Sequence, residues 1–298
     1  MSFLNIIGNS DAKDYLNKCI ENKHILHSYL FVGAEGIGKL LVAKEFARKI
    51  LCLEDSKDEC TCKSCTCFNG KNHPDFYLIN EDGENIKIEV IRKITSKVIE
   101  KPIISKRKVY IINDFEKMTK EAQNCLLKTL EEPPEFVTII IISSNENAIL
   151  NTIKSRCMTI KFKNIDNDLL YDYLINDLGY DNISEILLKS FGGSIGKALR
   201  LIEGKEKYNQ IDILVDNFTK KDLIEVIQNS MIIYDKENIF NILDYMIVCF
   251  YSNYTENNKY LNCIEYVNKC INRLKVNSNF DMCLDSMIIN IWNELNRK

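Results

Sequence analysis

Apolar residues in the first 160 positions fall in short unbroken runs: "SYLFVG", "FYLI", "KVYIIND", "FVTIIIISS" and "MTIKF". Continuous rather than alternating apolarity is the pattern of strands covered on both faces, as in a parallel sheet. Between the runs the apolar period changes to that of a helix. It predicts helices over residues 11–19, 39–51, 88–100 and 120–132, with Ser10 as N-cap of the first. The last of them stops at "EEPP", because Pro133 and Pro134 cannot continue a helix. Strands alternating with helices predict a doubly wound α/β domain over residues 1–163. A short helical segment containing "FGGSIGKALRLIEG" predicts a small second domain over 164–205. Beyond it Ile239, Ile242, Leu243, Met246, Ile247 and Phe250 recur at helical spacing, as do Leu261, Ile264, Val267, Ile271 and Leu274. Residues 206–298 are therefore expected to form an all-helical domain, with more apolar stripe than a small isolated bundle needs.

Composition sharpens this division. All four prolines precede residue 135 and the last glycine is Gly204. The balance of 39 basic and 42 acidic side chains in 298 residues gives a net charge of −3, which argues against a strongly basic nucleic-acid binder. "FVTIIIIS" is too short to span a bilayer, and the helical stripes are flanked by charge, so no membrane role is expected. The opening residues do not read as a secretory leader, and the expected location is cytoplasmic.

Three stretches carry chemistry. "GAEGIGK", after a strand and before a helix, has the G-x-x-x-x-G-K pattern of a phosphate loop, through Gly33, Gly36, Gly38 and Lys39. Its amides and lysine are the parts that hold ATP or ADP phosphates. The hydroxyl residue that should follow as Mg²⁺ ligand is Leu40. In the acidic strand, "VYII" is followed by Asn113 and then Asp114, so an amide stands where the metal-binding carboxylate belongs. The alternative is that Asp114 slides into that role.

The second stretch holds five of the twelve cysteines in sixteen residues, spaced C-x7-C-x-C-x2-C-x-C. Cys62 and Cys65 form the C-x2-C knuckle of a zinc site, and Cys52 and Cys60 are the expected partners, with Cys67 spare. Four thiolates imply a closed, structural Zn²⁺; free thiols or a redox pair are the alternatives. His73 in "NHPD" reads as a turn residue. The third stretch is "SRC", Ser155 to Cys157. On its own, Arg156 at the edge of the sheet reads as a solvated or structural cation, capping the preceding helical turn or pairing with a local acid.

"HSYLFVGAEGIGK", the cysteine cluster, "NHPDFYLI", "KVYIINDFEKMTKEAQNCLLKTLEEPP" and "IKSRC" follow the order seen in bacterial clamp-loader AAA+ subunits. The chain resembles that family strongly over residues 5–204, and its delta prime type more than its ATP-hydrolysing tau/gamma type. Leu40 and Asn113 are two reasons, and Gly196, where hydrolysing relatives place a nucleotide-sensing arginine, is the third. The resemblance implies a component of the DNA polymerase III holoenzyme without ATPase activity of its own. It implies partners of tau/gamma and delta type in a five-subunit ring, which loads the sliding clamp on primer-template DNA. It implies further that Arg156 serves a neighbour's ATP site in trans, and that residues 164–205 are a lid and 206–298 a collar. A four-cysteine zinc module is also implied, although this spacing departs from the usual one at Cys60 and Cys67. The alternative within the family is a hydrolysing subunit of tau/gamma type.

Overall fold

The computed structural model describes the chain except residues 1–2, 4–5, 55–59, 81–85, 181–182, 184, 204, 254–258, 277 and 298. Contacts divide it into two compact units, Met1–Tyr173 with Ser194–Gly196, and Leu174–Gly193 with Lys197–Lys298.

In the first unit all five apolar runs are strands: β1 (Ser28–Val32), β2 (Phe76–Ile79), β3 (Lys108–Ile112), β4 (Val137–Ser143) and β5 (Met158–Lys161). They form one sheet in the order β2-β3-β4-β1-β5, and every neighbouring pair is parallel. Around them lie α1 (Ser10–Glu21), α2 (Lys39–Leu51), α3 (Lys63–Asn69), α4 (Ile88–Val98), α5 (Lys120–Glu131), α6 (Asn151–Lys154) and α7 (Asn167–Asp172). Helices cover both faces, which is why the strands read as unbroken apolar runs. Tyr29 and Phe31 pack with Leu16, Phe46 and Ala47 on one face. Leu30 and Val32 pack with Ile91, Ala122 and Leu126 on the other. Each such large side chain withdrawn from water contributes about 1.5–3 kcal/mol before entropy is counted.

One expectation is corrected. Ser10 is the first residue of α1, not its cap. Asn9 occupies the cap in a left-handed conformation, φ 50°, and makes no side-chain cap bond. Its amide instead exchanges two hydrogen bonds with the backbone of Lys163, 154 residues away. A tertiary tie thus displaces a local cap.

Helices α8 (Glu185–Ser190), α9 (Ile195–Glu203), α10 (Lys205–Lys220), α11 (Leu223–Asn229), α12 (Ile239–Asn253), α13 (Lys259–Lys275) and α14 (Phe280–Asn296) complete the chain. In the second unit α12 packs on α8, α10 and α13, and α13 packs on α14. The apolar stripe from Ile239 to Phe250 is the buried face of α12. No helix among the described residues is long and apolar enough to cross a membrane.

Candidate functional site

The loop from Gly33 to Lys39 joins central strand β1 to α2. In doubly wound sheets ligands bind beyond the carboxyl ends of strands where the strand order reverses, and this loop sits there, β1 being flanked by β4 and β5. Gly36 and Gly38 have φ of 75° and 92°, which side chains rarely adopt. Lys39 opens the helix but is only 7% exposed. Its ammonium donates to the carbonyls of Gly33 and Ala34, both at 2.6 Å. Burial lowers its pKa, opposed by the charges of Glu116, Asp114 and Glu35. Leu40 packs against the core. The loop is also braced from the start of α9 and the residue before it. Ser194 donates from its hydroxyl to the Glu35 carbonyl at 2.9 Å, and the Gly196 amide donates to the Gly36 carbonyl at 2.9 Å. A Cβ on Gly196 would lie 3.0 Å from the Gly36 Cα, so a side chain there would require the loop to give by a few tenths of an ångström.

Asn113 lies just past β3. Its amide donates to the Asn80 carbonyl at 3.4 Å, and the Asn80 amide returns a bond to Asn113 at 3.2 Å. The residue thus ties two strand ends together. Asp114 takes φ 48° and pairs with Lys117 at 2.9 Å. The sequence reading missed Glu116. Its carboxylate accepts from the Ser144 amide at 3.0 Å and from the Ser144 hydroxyl, while Oε2 is buried without a partner among the described residues. Burial works to raise the Glu116 pKa, and the Ser144 bonds outweigh it, so the carboxylate form is favoured. The signal was an acid two places beyond Asp114, but its value depends on Ser144 on the neighbouring strand's exit.

The structure brings Cys52, Cys60, Cys62 and Cys65 together, with all four sulfurs within 4.8 Å of one another; Cys67 is not among them. Cys52 follows α2 as its C-cap, and Cys62 caps α3, its sulfur accepting from the Cys65 amide. The sulfur separations of 3.5 Å for Cys52–Cys60 and 4.0 Å for Cys52–Cys62 fit the ~3.8 Å edge of a tetrahedron with 2.3 Å metal–sulfur bonds. Burial raises the Cys62 thiol, but the amides of Cys65 and Leu53 and the neighbouring thiols bring it down to about 6. Against the pull of the Cys62 amide on Cys60, burial and the neighbouring thiols push Cys60 and Cys65 the other way, so it is the spacing of the four sulfurs that fits the set to hold a divalent metal.

Ser64, His73, Asp75 and Ser105 fasten this module to the sheet, and all four are buried. The Asp75 amide donates to His73 Nδ1 at 3.0 Å, so the proton of the neutral ring sits on Nε2, which faces the Ser64 hydroxyl at 2.8 Å. Ser64 and Ser105 both donate to the Leu51 carbonyl in the last turn of α2, at 2.6 and 2.7 Å. The Asp75 carboxylate accepts the amides of Ile103, Ile104 and Ser105. His73 is therefore more than a turn residue, and with Nδ1 already accepting it is no general base for Ser64. Burial lowers its pKa from 6.5 against the pull of Asp75. The unfolded chain then takes up the imidazole proton first, so this stabilisation is complete above pH ~6.5 and declines as pH falls below it. Chemical denaturation from pH 7.5 to 5 should show that decline, and His73→Gln, which cannot titrate, should flatten it.

Arg156 follows the short helix α6. Its guanidinium donates to the Thr152 carbonyl at 2.8 Å and pairs with Glu131, in the last turn of α5, at 2.9 Å. Its side chain remains 34% exposed. Such a pair contributes at most about 1 kcal/mol.

A doubly wound parallel sheet with a glycine loop at its switch point, followed by a helical C-terminal region, is the class these observations define. The family described as "DNA polymerase III, delta subunit" matches residues 8–166, and the chain belongs to it. It is 33% identical over 192 residues to the DNA polymerase III subunit delta' of Bacillus subtilis, covering 64% of this chain and 58% of that protein. It is also 35% identical over 173 residues to the DNA polymerase III subunit gamma/tau of Mycoplasma pneumoniae, covering 58% of this chain and 25% of that one. The chain thus spans less than two thirds of these relatives. In fold it resembles a DNA polymerase III gamma subunit-related protein of Thermotoga maritima, with TM-score 0.53 at 19% identity over 96% of this chain and all of that one.

Proposed function

We propose that this chain is a non-hydrolysing, delta prime type subunit of a bacterial clamp loader. It works beside tau/gamma and delta type subunits in ATP-dependent loading of the sliding clamp onto primed DNA. The carrying observation is the state of the glycine loop. Lys39 directs two of its three N–H donors to the loop's own carbonyls, and Gly196 rests against Gly36. Phosphoryl transfer is mostly metal-assisted positioning, and Leu40 and Asn113 offer neither a hydroxyl nor a carboxylate for that metal. In this reading residues 1–163 are an AAA+ module carrying a structural Zn²⁺ site, 164–205 a lid, and 206–298 the collar that joins the ring. Exposed Ile224, Ile227 and Met231 on and after α11 supply apolar surface for such a contact. In the same reading Arg156, part-exposed after α6, is the residue offered to the next subunit's ATP.

The pure chain should show no ATP turnover. Mixed with tau/gamma and delta type subunits, it should restore turnover and clamp loading, and Asp114→Ala should leave both almost unchanged. Turnover by the pure chain that stops with Lys39→Ala would overturn the proposal. It would favour a second reading, a hydrolysing tau/gamma type subunit. The unpartnered Glu116 Oε2 favours that reading, and Glu116→Gln should then abolish the activity.

A further inference from the structure

Helix α2 carries a charge pair that neither the loop nor solvent explains. Glu45 and Arg48, one turn apart, are 2% and 3% exposed. Removing two charges from water costs several kcal/mol per ion, repaid only when geometry is good and the remaining donors are satisfied. Here the geometry is a two-point fork. Arg48 Nε–H donates to Glu45 Oε2 at 2.9 Å, and Nη2–H donates to Oε1 at 2.7 Å. Nη1–H is directed elsewhere, to the sulfur of Cys65 at 3.6 Å. That sulfur is fully buried and belongs to the four-cysteine cluster.

We propose that Arg48 is a positioning residue of the metal centre, donating an N–H···S hydrogen bond to the Cys65 thiolate, and that Glu45 fixes the guanidinium plane so that this donor faces the sulfur. The proposal rests on the four cysteines holding a divalent metal. Four thiolates about such an ion leave a net charge of −2 in a half-buried setting, driest at Cys65. A cationic donor on one sulfur draws off electron density, holds Cys65 at its bonding position and makes it a poorer nucleophile toward electrophiles and protons. Outer partners of this kind orient metal ligands and set how firmly they hold. A lysine cannot do the same, because the planar fork is what lets one cation grip a carboxylate and still present a third donor.

The test uses the full chain, loaded with Zn²⁺ and separately with Co²⁺, as wild type, Arg48→Met, Arg48→Lys and the double variant Glu45→Met/Arg48→Met. The double variant leaves no orphaned charge and should stay folded. Zinc release to a colorimetric chelator should quicken about 10-fold or more in Arg48→Met and in the double variant, in line with the 10–100-fold affinity losses of such changes. Arg48→Lys should fall between. Cys65 should be alkylated sooner, located by mass spectrometry, and the thiolate-to-Co²⁺ charge-transfer band should shift with no change in far-UV circular dichroism. A folded double variant or Arg48→Lys with wild-type release rate and unchanged band makes the pair a mere helix-packing element and overturns the proposal. Wild-type protein that binds neither metal overturns the metal reading itself, a separate outcome read before any variant is compared.

Discussion

A reconstituted clamp loader carrying Arg156→Ala should assemble normally and lose one ATP site. An arginine supplied to a transferring γ-phosphoryl group is worth on the order of 10³-fold or more in rate. The affected site should slow by about that factor, total turnover should fall only by that site's share, and clamp loading should fall further. The proposed role asks that the residue be weakly held within its own chain. Its bonds within the chain are to the Thr152 carbonyl, the Ser155 hydroxyl and, as an exposed pair, Glu131. None of these holds the guanidinium strongly, and a multiply charged phosphate makes stronger charge-assisted bonds than a solvated carboxylate. Arg156→Lys should rescue little, because the ammonium lacks the fork. Wild-type turnover and loading in an intact Arg156→Ala ring would make the residue a cap for α6 and nothing more.

Protein purified without chelator should contain one zinc ion per chain, and its removal should be the largest local perturbation available. Structural zinc carries on the order of 10 kcal/mol of apparent folding free energy in small domains. Here Ser64, His73 and Ser105 also hold the module's base through the Leu51 carbonyl. Chelation should therefore open residues 52–67 to protease while the sheet stays folded. Cys62→Ser and Cys65→Ser should have the greatest effect, since the first caps α3 and the second is fully buried. Cys67→Ser should have the least, its sulfur lying outside the cluster. Elemental analysis without zinc refutes the assignment.

The five strands were legible because two covered faces leave no polar alternation to confuse the reading. The bounds of α2 were legible too, since a glycine and a cysteine bracket one apolar period. Helices α4 and α5 stop at Val98 and Glu131, short of the expected Glu100 and Glu132. The misses share a cause. Asn9 displaced Ser10 because its partner is Lys163, and Glu116 acquires its setting from Ser144, 28 residues on. Glu45 and Arg48 look like any solvated helix pair until the fold places Cys65 beside them. Local sequence carries propensity and period, whereas these roles come from contacts across the chain.

Helix α2 is a ruler. Its thirteen residues span about 20 Å, from the glycine that closes the loop to the cysteine that opens the metal cluster. Each residue also turns the helix by about 100°. Adding or deleting one residue anywhere along it would swing Cys52 away from the other three sulfurs or turn Lys39 off its carbonyls. The two ends are therefore inherited as one piece. A side chain at the front of this helix can change by point substitution without moving the ligand at the back, whereas any change in the helix's length moves one end relative to the other.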